Sequence, residues 1–253
     1  LAQVVQPYQG KECTLAELKS IADRVAAYYH GKGYFLAKVV LPEQDVSNGA
    51  VTFQIFEGKL GKLTFSGNKR YSDGELQGYF ARTTEQGVLM QNPLERSLLL
   101  LNDLPGLKAT SVLQAGQALG TTDLTIRLEE SSLITGVVDM DNFGSRFSRV
   151  RMTVGTDIAT RRGDLFSLRA LSGTPPKALY YGNFGYSGPI GHSGTRIGLY
   201  ALHGNFGVGK EFSILNIEGR ATALGLQVSH PLVKTRRDTI TVMAGLDSRD
   251  SRQ

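Results

Sequence analysis

The stretch that decides the fold covers residues 149–158 and reads Arg-Val-Arg-Met-Thr-Val-Gly-Thr-Asp-Ile. Every second position holds Val150, Met152, Val154, Thr156 or Ile158, of which all but Thr156 are apolar, and charged or polar residues occupy most positions between them. A period of two predicts a β-strand with one apolar and one polar face. Similar runs recur over residues 133–246, a pattern typical of the wall of a transmembrane β-barrel. A soluble antiparallel sandwich also alternates in this way and is the alternative.

Composition excludes two other classes. The chain has 253 residues and a net charge of +5, but its Arg residues are scattered along the runs and not clustered with aromatics. We therefore expect no nucleic-acid binding. The longest aliphatic run, residues 98–101, is far short of the roughly 18 residues of a membrane-spanning helix.

Turn and capping signals divide the chain into segments 1–58, 59–131 and 132–253. In the first segment, Thr14 and Glu17 have the spacing of a capping box and predict a helix that ends at Gly31 and Gly33. Strands are expected at 34–41 and 50–56. The second segment predicts a strand at 60–65, a short helix after residues 72–75, a helix that Asn92 caps, and a hairpin of strands 107–115 and 121–129. The shared element order suggests a tandem repeat whose first copy lacks its start.

The third segment predicts about seven strands, with turns at 160–163, 173–176 and 230–237 and a wider loop at about 204–217. Bacterial barrels have even strand counts of eight or more. We therefore expect this sheet to be part of a larger polypeptide. The predicted strands are 133–141, 149–159, 164–172, 178–187, 195–203, 218–229 and 239–247.

The candidate catalytic and ligand-binding motifs in the sequence each lack a residue or a spacing that the motif requires. Residues 204–210 nearly fit a phosphate-binding loop, but Glu211 stands where the motif needs a hydroxyl group. The four His residues lack metal-ligand spacing. We therefore expect no enzyme activity, catalytic residue, cofactor, metal or nucleotide.

Several ordered motifs resemble one family. Residues 8–18, 33–37 (Gly-Tyr-Phe-Leu-Ala) and 41–46 (Leu-Pro-Glu-Gln-Asp-Val) resemble the first POTRA domain of two-partner secretion transporters, the hemolysin or adhesin secretion and activation proteins of Gram-negative bacteria. Residues 67–68, 92–96 and 99–106 resemble the second POTRA domain, and residues 141–146 resemble the end of the first barrel strand. The resemblance implies an α+β fold of POTRA domains (β-α-α-β-β, the first incomplete), followed by antiparallel strands of a partial transmembrane barrel.

The resemblance also implies a function. Such a protein lies in the outer membrane with its POTRA domains in the periplasm. These domains recognise the secretion domain of a large exoprotein, which then crosses the barrel. The alternatives are a barrel-assembly factor of the same superfamily and a soluble β-rich interaction module. A client could add a strand to the expected edge strand 107–115, at Ala109, Ser111 and Leu113; a purely structural strand is the other interpretation.

The alternation assigns the two faces of the wall. Apolar positions are expected to face lipid, and Arg positions are expected to face the lumen or its rim. The lipid-facing candidates are Val150, Met152, Val154, Leu199, Leu224 and Leu226. The lumen-facing candidates are Arg149, Arg151, Arg169 and Arg196.

Overall fold

The structure is a computed structural model that describes residues 1–142, 150–174, 179–207 and 218–252. Contacts divide the chain into two compact units. The first comprises Leu1–Asn68, Asp73–Leu99 and Ala109–Leu128, and the second comprises Lys69–Ser72, Leu100–Lys108 and Glu129–Gln253. None of the described helices is long and apolar enough to cross a bilayer.

The first unit opens with a short helix α1 (Ala2–Val5), a 3-10 turn (Gln6–Tyr8) and the longer helix α2 (Leu15–Gly31). The predicted capping box is present: Glu17 N–H donates to Thr14 Oγ1 at 3.3 Å, and Thr14 N–H donates to the Glu17 carboxylate at 2.7 Å. Hydrogen bonds from the Thr14 amide and hydroxyl lower the pKa of Glu17. Gly33 follows the helix with φ +93°, a conformation that few other residues adopt.

Two short antiparallel strands complete this part, β1 (Lys38–Val40) and β2 (Gln54–Phe56). The predicted strands 34–41 and 50–56 were too long. Residues 34–37 instead form a turn, in which the Ala37 amide donates to the Tyr34 carbonyl at 2.9 Å. That turn also lets His30 Nε2 lie 2.9 Å from the Ala37 carbonyl oxygen.

A three-stranded sheet and three helices follow. The elements are β3 (Lys59–Ser66), α3 (Asp73–Tyr79), α4 (Ala81–Glu85), α5 (Gln91–Asn102), β4 (Leu107–Ala115) and β5 (Thr121–Glu130). The strand order is β3-β5-β4, and β3 runs parallel to the central β5. Within the first unit, Leu76, Phe80, Leu89, Leu124 and Ile126 are fully buried, so apolar burial holds the helices against the sheet.

In this region one predicted detail was wrong and one helix was missed. Helix α5 begins at Gln91, so Asn92 lies inside the helix and does not cap it. Helix α4 was not predicted. It is one turn long, Phe80 lies at its N-cap without a capping side chain, and the buried Thr83 is 3.3 Å from the Ser97 hydroxyl. Such a helix depends on tertiary contacts, which carry no local sequence signal.

The second unit contains an open seven-stranded antiparallel sheet in which each strand pairs with its neighbours in sequence. Within the described residues, the number of strands and the antiparallel class agree with the prediction. The turn expected at 230–237 is shorter than predicted, since β11 runs on through Pro231 with an irregular register between Pro231 and Val233. The strands are β6 (Ile134–Asp141), β7 (Arg151–Ala159), β8 (Leu165–Gly173), β9 (Tyr180–Ile190), β10 (Thr195–Gly207), β11 (Glu218–Lys234) and β12 (Thr239–Arg252).

Candidate functional site

One face of the seven-stranded sheet is apolar. Residues directly opposite each other on paired strands point to the same side of a sheet. The register therefore places a continuous row on this side. The row is Ile158, Phe166, Tyr186, Leu199, Leu226 and Leu246. We call this side the apolar face.

The lipid-facing candidates on this sheet lie on the apolar face or directly before β7, and all are exposed. Met152 and Val154 alternate with less exposed residues on β7, and Val154 is 45% exposed although it lies in mid-strand. On β10, Leu199 is 46% exposed. On β11, Leu224 is 58% and Leu226 is 41% exposed, and Val150 (36%) directly precedes β7. Exposed apolar area of this extent needs an apolar environment to cover it. Contact with lipid remains a prediction.

The opposite side, the polar face, carries charged side chains that pair across strands. Arg151 Nε donates to Asp141 at 2.8 Å, and Arg169 Nη2 donates to Asp157 at 2.7 Å. Arg196 Nε donates to the Ser187 hydroxyl at 3.1 Å, and its Nη2 donates to the carbonyl of Gly163 at 3.3 Å. These three Arg residues therefore share one face, while Arg149 lies outside the described residues. Whether that face lines a lumen stays a prediction.

Glycine residues on the polar face make room for large neighbours. Gly225 lies opposite Tyr200 in the register, and Gly155 lies opposite Arg169. A Cβ atom on either glycine would collide with the opposing side chain. The glycines, which the sequence shows only as a raised count, thus allow a ring or guanidinium group to lie flat across the next strand.

This packing gives a testable prediction. Gly225→Val is expected to displace Tyr200 and destabilise the sheet by about 1–3 kcal/mol, the usual cost of overpacking. Folding would be measured in the full-length protein from the gel-mobility difference between folded and heat-denatured barrels. Gly182→Val, on the apolar face, is the control, because no atom lies closer than 4.0 Å to a Cβ built there. Adding Tyr200→Ala should restore folding to the Gly225→Val variant; no recovery would contradict the packing explanation.

The connections at the two ends of the sheet differ in length. Strands β7 and β8, β9 and β10, and β11 and β12 are joined by short turns at one end, at residues 160–164, 191–194 and 235–238. The other end has longer connections, such as the one between Asp141 of β6 and Arg151 of β7. Short turns on one side and long loops on the other are typical of outer-membrane barrels, where the short turns face the periplasm. We call the first end the short-turn end.

Within the second unit, the segment 100–108, which includes the last turn of helix α5, lies against the short-turn end. Lys234 Nζ is 2.6 Å from the Asp103 carboxylate. Leu104 is buried beside Gly163, and Leu100 is buried beside Gly194 and Pro231. The segment 100–108 is therefore packed on the sheet turns by both apolar contact and an ion pair.

An ion pair of Arg70 and Glu130, both largely buried, holds the same unit together. Glu130 accepts hydrogen bonds from the amides of Lys69 and Arg70, both at 3.0 Å, and from Arg70 Nε at 2.9 Å. Arg70 Nη2 also donates to the carbonyl of Gly106. Burial acts to raise the pKa of Glu130, but these hydrogen bonds and the positive charge of Arg70 together hold that pKa below its ordinary value.

The candidate client strand β4 is an outer strand of the three-stranded sheet. Ala109 is buried, and Ser111 and Leu113 are half-buried, so these side chains face the core side. A client strand added at β4 would therefore be held through backbone hydrogen bonds and would not depend on these side chains. This role stays a proposal.

Sequence reasoning missed the glycine pairs, the Arg70–Glu130 pair and the ion pair of Lys234 with Asp103. Each depends on residues brought together by the register or by tertiary packing. Only the glycine pairs left a signal in the sequence, because Gly residues recur at polar-face positions of strands whose alternation is otherwise regular.

Comparison with known proteins gives the class. Among solved structures, CdiB from Escherichia coli superposes with a TM-score of 0.76 at 19% identity, over 99% of this chain and 47% of that chain. BamA from Haemophilus ducreyi, in a form lacking POTRA domains 1-3, superposes with a TM-score of 0.53 at 15% identity, over 96% of this chain and 46% of that chain. The described residues therefore have the fold of the corresponding parts of CdiB and BamA.

Sequence comparison narrows the class. Residues 1–58 match the family described as POTRA domain, ShlB-type. The heme/hemopexin transporter protein HuxB of Haemophilus influenzae (strain 86-028NP) is 29% identical over 241 residues, or 93% of this chain and 42% of HuxB. The outer membrane transporter CdiB of Dickeya dadantii (strain 3937) is 26% identical over 139 residues, or 55% of this chain and 24% of that protein. The chain is thus similar to proteins named as transporters, one of them an outer membrane transporter, and it spans less than half the length of these relatives.

Proposed function

We propose that this chain is the part of an outer-membrane translocation pore of two-partner secretion that carries the POTRA domains and the first barrel strands. The observation that carries this proposal is the combination of a ShlB-type POTRA match with a sheet that has one exposed apolar face and one ion-paired polar face. Neither a soluble module nor a helical membrane protein would need both.

The partner we propose is a large secreted exoprotein, recognised through its N-terminal secretion domain. Two features support this. The relatives are transporters by name, and CdiB is named an outer membrane transporter. The outer strand β4 offers a backbone edge of the kind that binds extended segments. The proposed domain limits are 1–58 and 59–131 for the two POTRA domains and 132–253 for the barrel part.

The test is secretion by the full-length protein. It would be produced in a heterologous Gram-negative host with the exoprotein encoded beside its gene, and the exoprotein would be measured in the medium. Deletion of residues 59–131 should abolish secretion while the barrel remains in the outer membrane. Recovery of the full-length protein without detergent would contradict the membrane location, and secretion without the transporter would contradict the pore role.

A further inference from the structure

We propose that the short-turn end of the strand wall binds the anionic phosphate head groups of the membrane leaflet at that end. The inference rests on the proposed function, since it requires the wall to lie in a bilayer. It goes further by assigning a lipid partner to a set of side chains for which a secretion pore supplies no role.

The first observation is a concentration of positive charge. The turn between β7 and β8 carries Arg161 and Arg162, and the turn between β11 and β12 carries Arg236 and Arg237. His192 lies in the turn between them. All five side chains belong to exposed residues, and they lie in three consecutive turns at one end of the sheet.

The three turns carry two acidic residues, Asp164 and Asp238, against these four Arg residues. Asp164 is half-buried and is held by the hydroxyls of Thr160 and Tyr186, at 3.0 and 3.2 Å. Asp238 bonds through its backbone to Thr235, which shapes the turn. The exposed surface of this end therefore has a positive balance that would attract anions.

The second observation is that exposed apolar residues lie directly beside these cations. Leu232 (60%), Ile240 (55%) and Ile190 (48%) are all strongly exposed within a few residues of the turns. Leu232 also lies at the register irregularity between Pro231 and Val233, where it has no partner in the register. An irregularity at the rim of a sheet re-aims side chains.

Apolar residues beside basic ones are typical of the membrane interface. Apolar side chains enter the acyl region while Arg side chains reach the phosphate level. Adjacent strands lie about 4.8 Å apart, so successive hairpin turns are spaced by roughly 10 Å. The two Arg pairs therefore lie roughly 20 Å apart along the rim. This arrangement suits an array of head groups better than one acidic peptide, which would require a clustered and polar site.

The expected magnitude follows from the charge. A basic residue near an anionic membrane surface contributes about 1 kcal/mol, or about fivefold in affinity. Removing two Arg residues should therefore weaken binding of an anionic phospholipid by roughly ten- to thirtyfold. Added salt should reduce the same preference, because the contact is exposed.

The experiment compares two double variants of the full-length transporter. Arg236→Ser/Arg237→Ser removes charge from the short-turn end. Arg220→Ser/Arg252→Ser removes the same charge from the opposite end, where these two exposed residues face each other in the register. Each protein would be inserted into bilayers of phosphatidylcholine with or without phosphatidylglycerol. Retained lipid would then be counted by native mass spectrometry.

The inference expects a large loss of phosphatidylglycerol retention in the first variant, little change in the second, and equal retention of phosphatidylcholine in both. Equal phosphatidylglycerol retention by the two variants would overturn it. Reduced secretion with unchanged lipid preference would also overturn it and would assign the cations to an acidic client. Insertion without any phosphatidylglycerol preference would refute the inference alone, whereas failure to insert into either bilayer would refute the proposed function as well.

Discussion

Val154→Arg is expected to prevent most of the full-length protein from assembling in the outer membrane. Val154 lies in mid-strand on the apolar face, opposite Val138 and Ala170. A charge on the lipid face near the bilayer midplane costs about 2–4 kcal/mol. No acidic residue lies directly opposite position 154 in the described register to offset that cost. The measurement is the amount of heat-modifiable, folded protein in the outer-membrane fraction.

Thr153→Arg is the matched control for this substitution. It adds the same side chain one residue away, on the polar face and directly opposite Asp139. There an Arg can pair with a carboxylate, as Arg151 and Arg169 already do. Arg196→Ala, which removes a polar-face charge, should likewise leave assembly intact. If Val154→Arg and Thr153→Arg assembled equally well, the assignment of the two faces would be wrong.

Glu130→Ala should produce the largest local loss of stability outside the strand wall. It leaves the largely buried Arg70 without its carboxylate, and breaking one partner of a buried pair costs about 3–5 kcal/mol. The amides of Lys69 and Arg70 lose their acceptor at the same time. Their hydrogen exchange in the full-length protein should therefore accelerate by roughly 150-fold or more, if local opening carries about 3 kcal/mol of the loss.

The neighbouring Glu129 supplies the control. It pairs with Lys108 at 3.4 Å, but both side chains are more than two-thirds exposed. Such pairs contribute about 0–1 kcal/mol, so Glu129→Ala should leave the exchange rates nearly unchanged. Similar acceleration in the two variants would show that the Arg70–Glu130 pair has no special role.

The same pair gives a pH dependence with a defined sign. The pKa of Glu130 lies below its ordinary value of 4.5 in the folded protein, so the folded state binds the proton less well than the unfolded state. The stabilisation is therefore complete above about pH 4.5 and is lost as the pH falls through the folded value. The stability difference between the wild type and Glu130→Ala should shrink in that acidic range. A difference that stays constant below it would contradict the electrostatic explanation.

The sequence predicts the strand wall well because alternation is a local signal. Each of the seven strands overlaps its predicted range. The turn predicted at 160–163 is present and contains Gly163, which has a positive φ angle. The predicted end of a strand is wrong where pairing with the neighbouring strand makes it longer. Strand β11 continues beyond the predicted break at His230 because β12 supplies hydrogen-bonding partners as far as Lys234.

The POTRA region shows the other limit. Strand β3 was predicted nearly to its ends, but its parallel pairing with β5 has no local signature. The candidate site divides in the same way. Which side chains share a face could be read from their spacing. Which of them touch, such as Arg169 with Asp157 or Arg70 with Glu130, depends on register and packing that spacing does not encode.

The order of strand pairing has a consequence for how the chain is made. Among the described residues of the sheet β6 to β12, every strand pairs with its sequence neighbours, so these seven strands can be added hairpin by hairpin without closing a long loop. Strand β3 must instead wait for β5, whose Thr125 lies opposite Thr64. Such a non-local contact is slow to form. We therefore expect the seven-stranded sheet to form quickly once its first hairpin has formed. Folding of the domain around β3 should be the slower step, and chaperones could bind the unpaired β3 until β5 is in place.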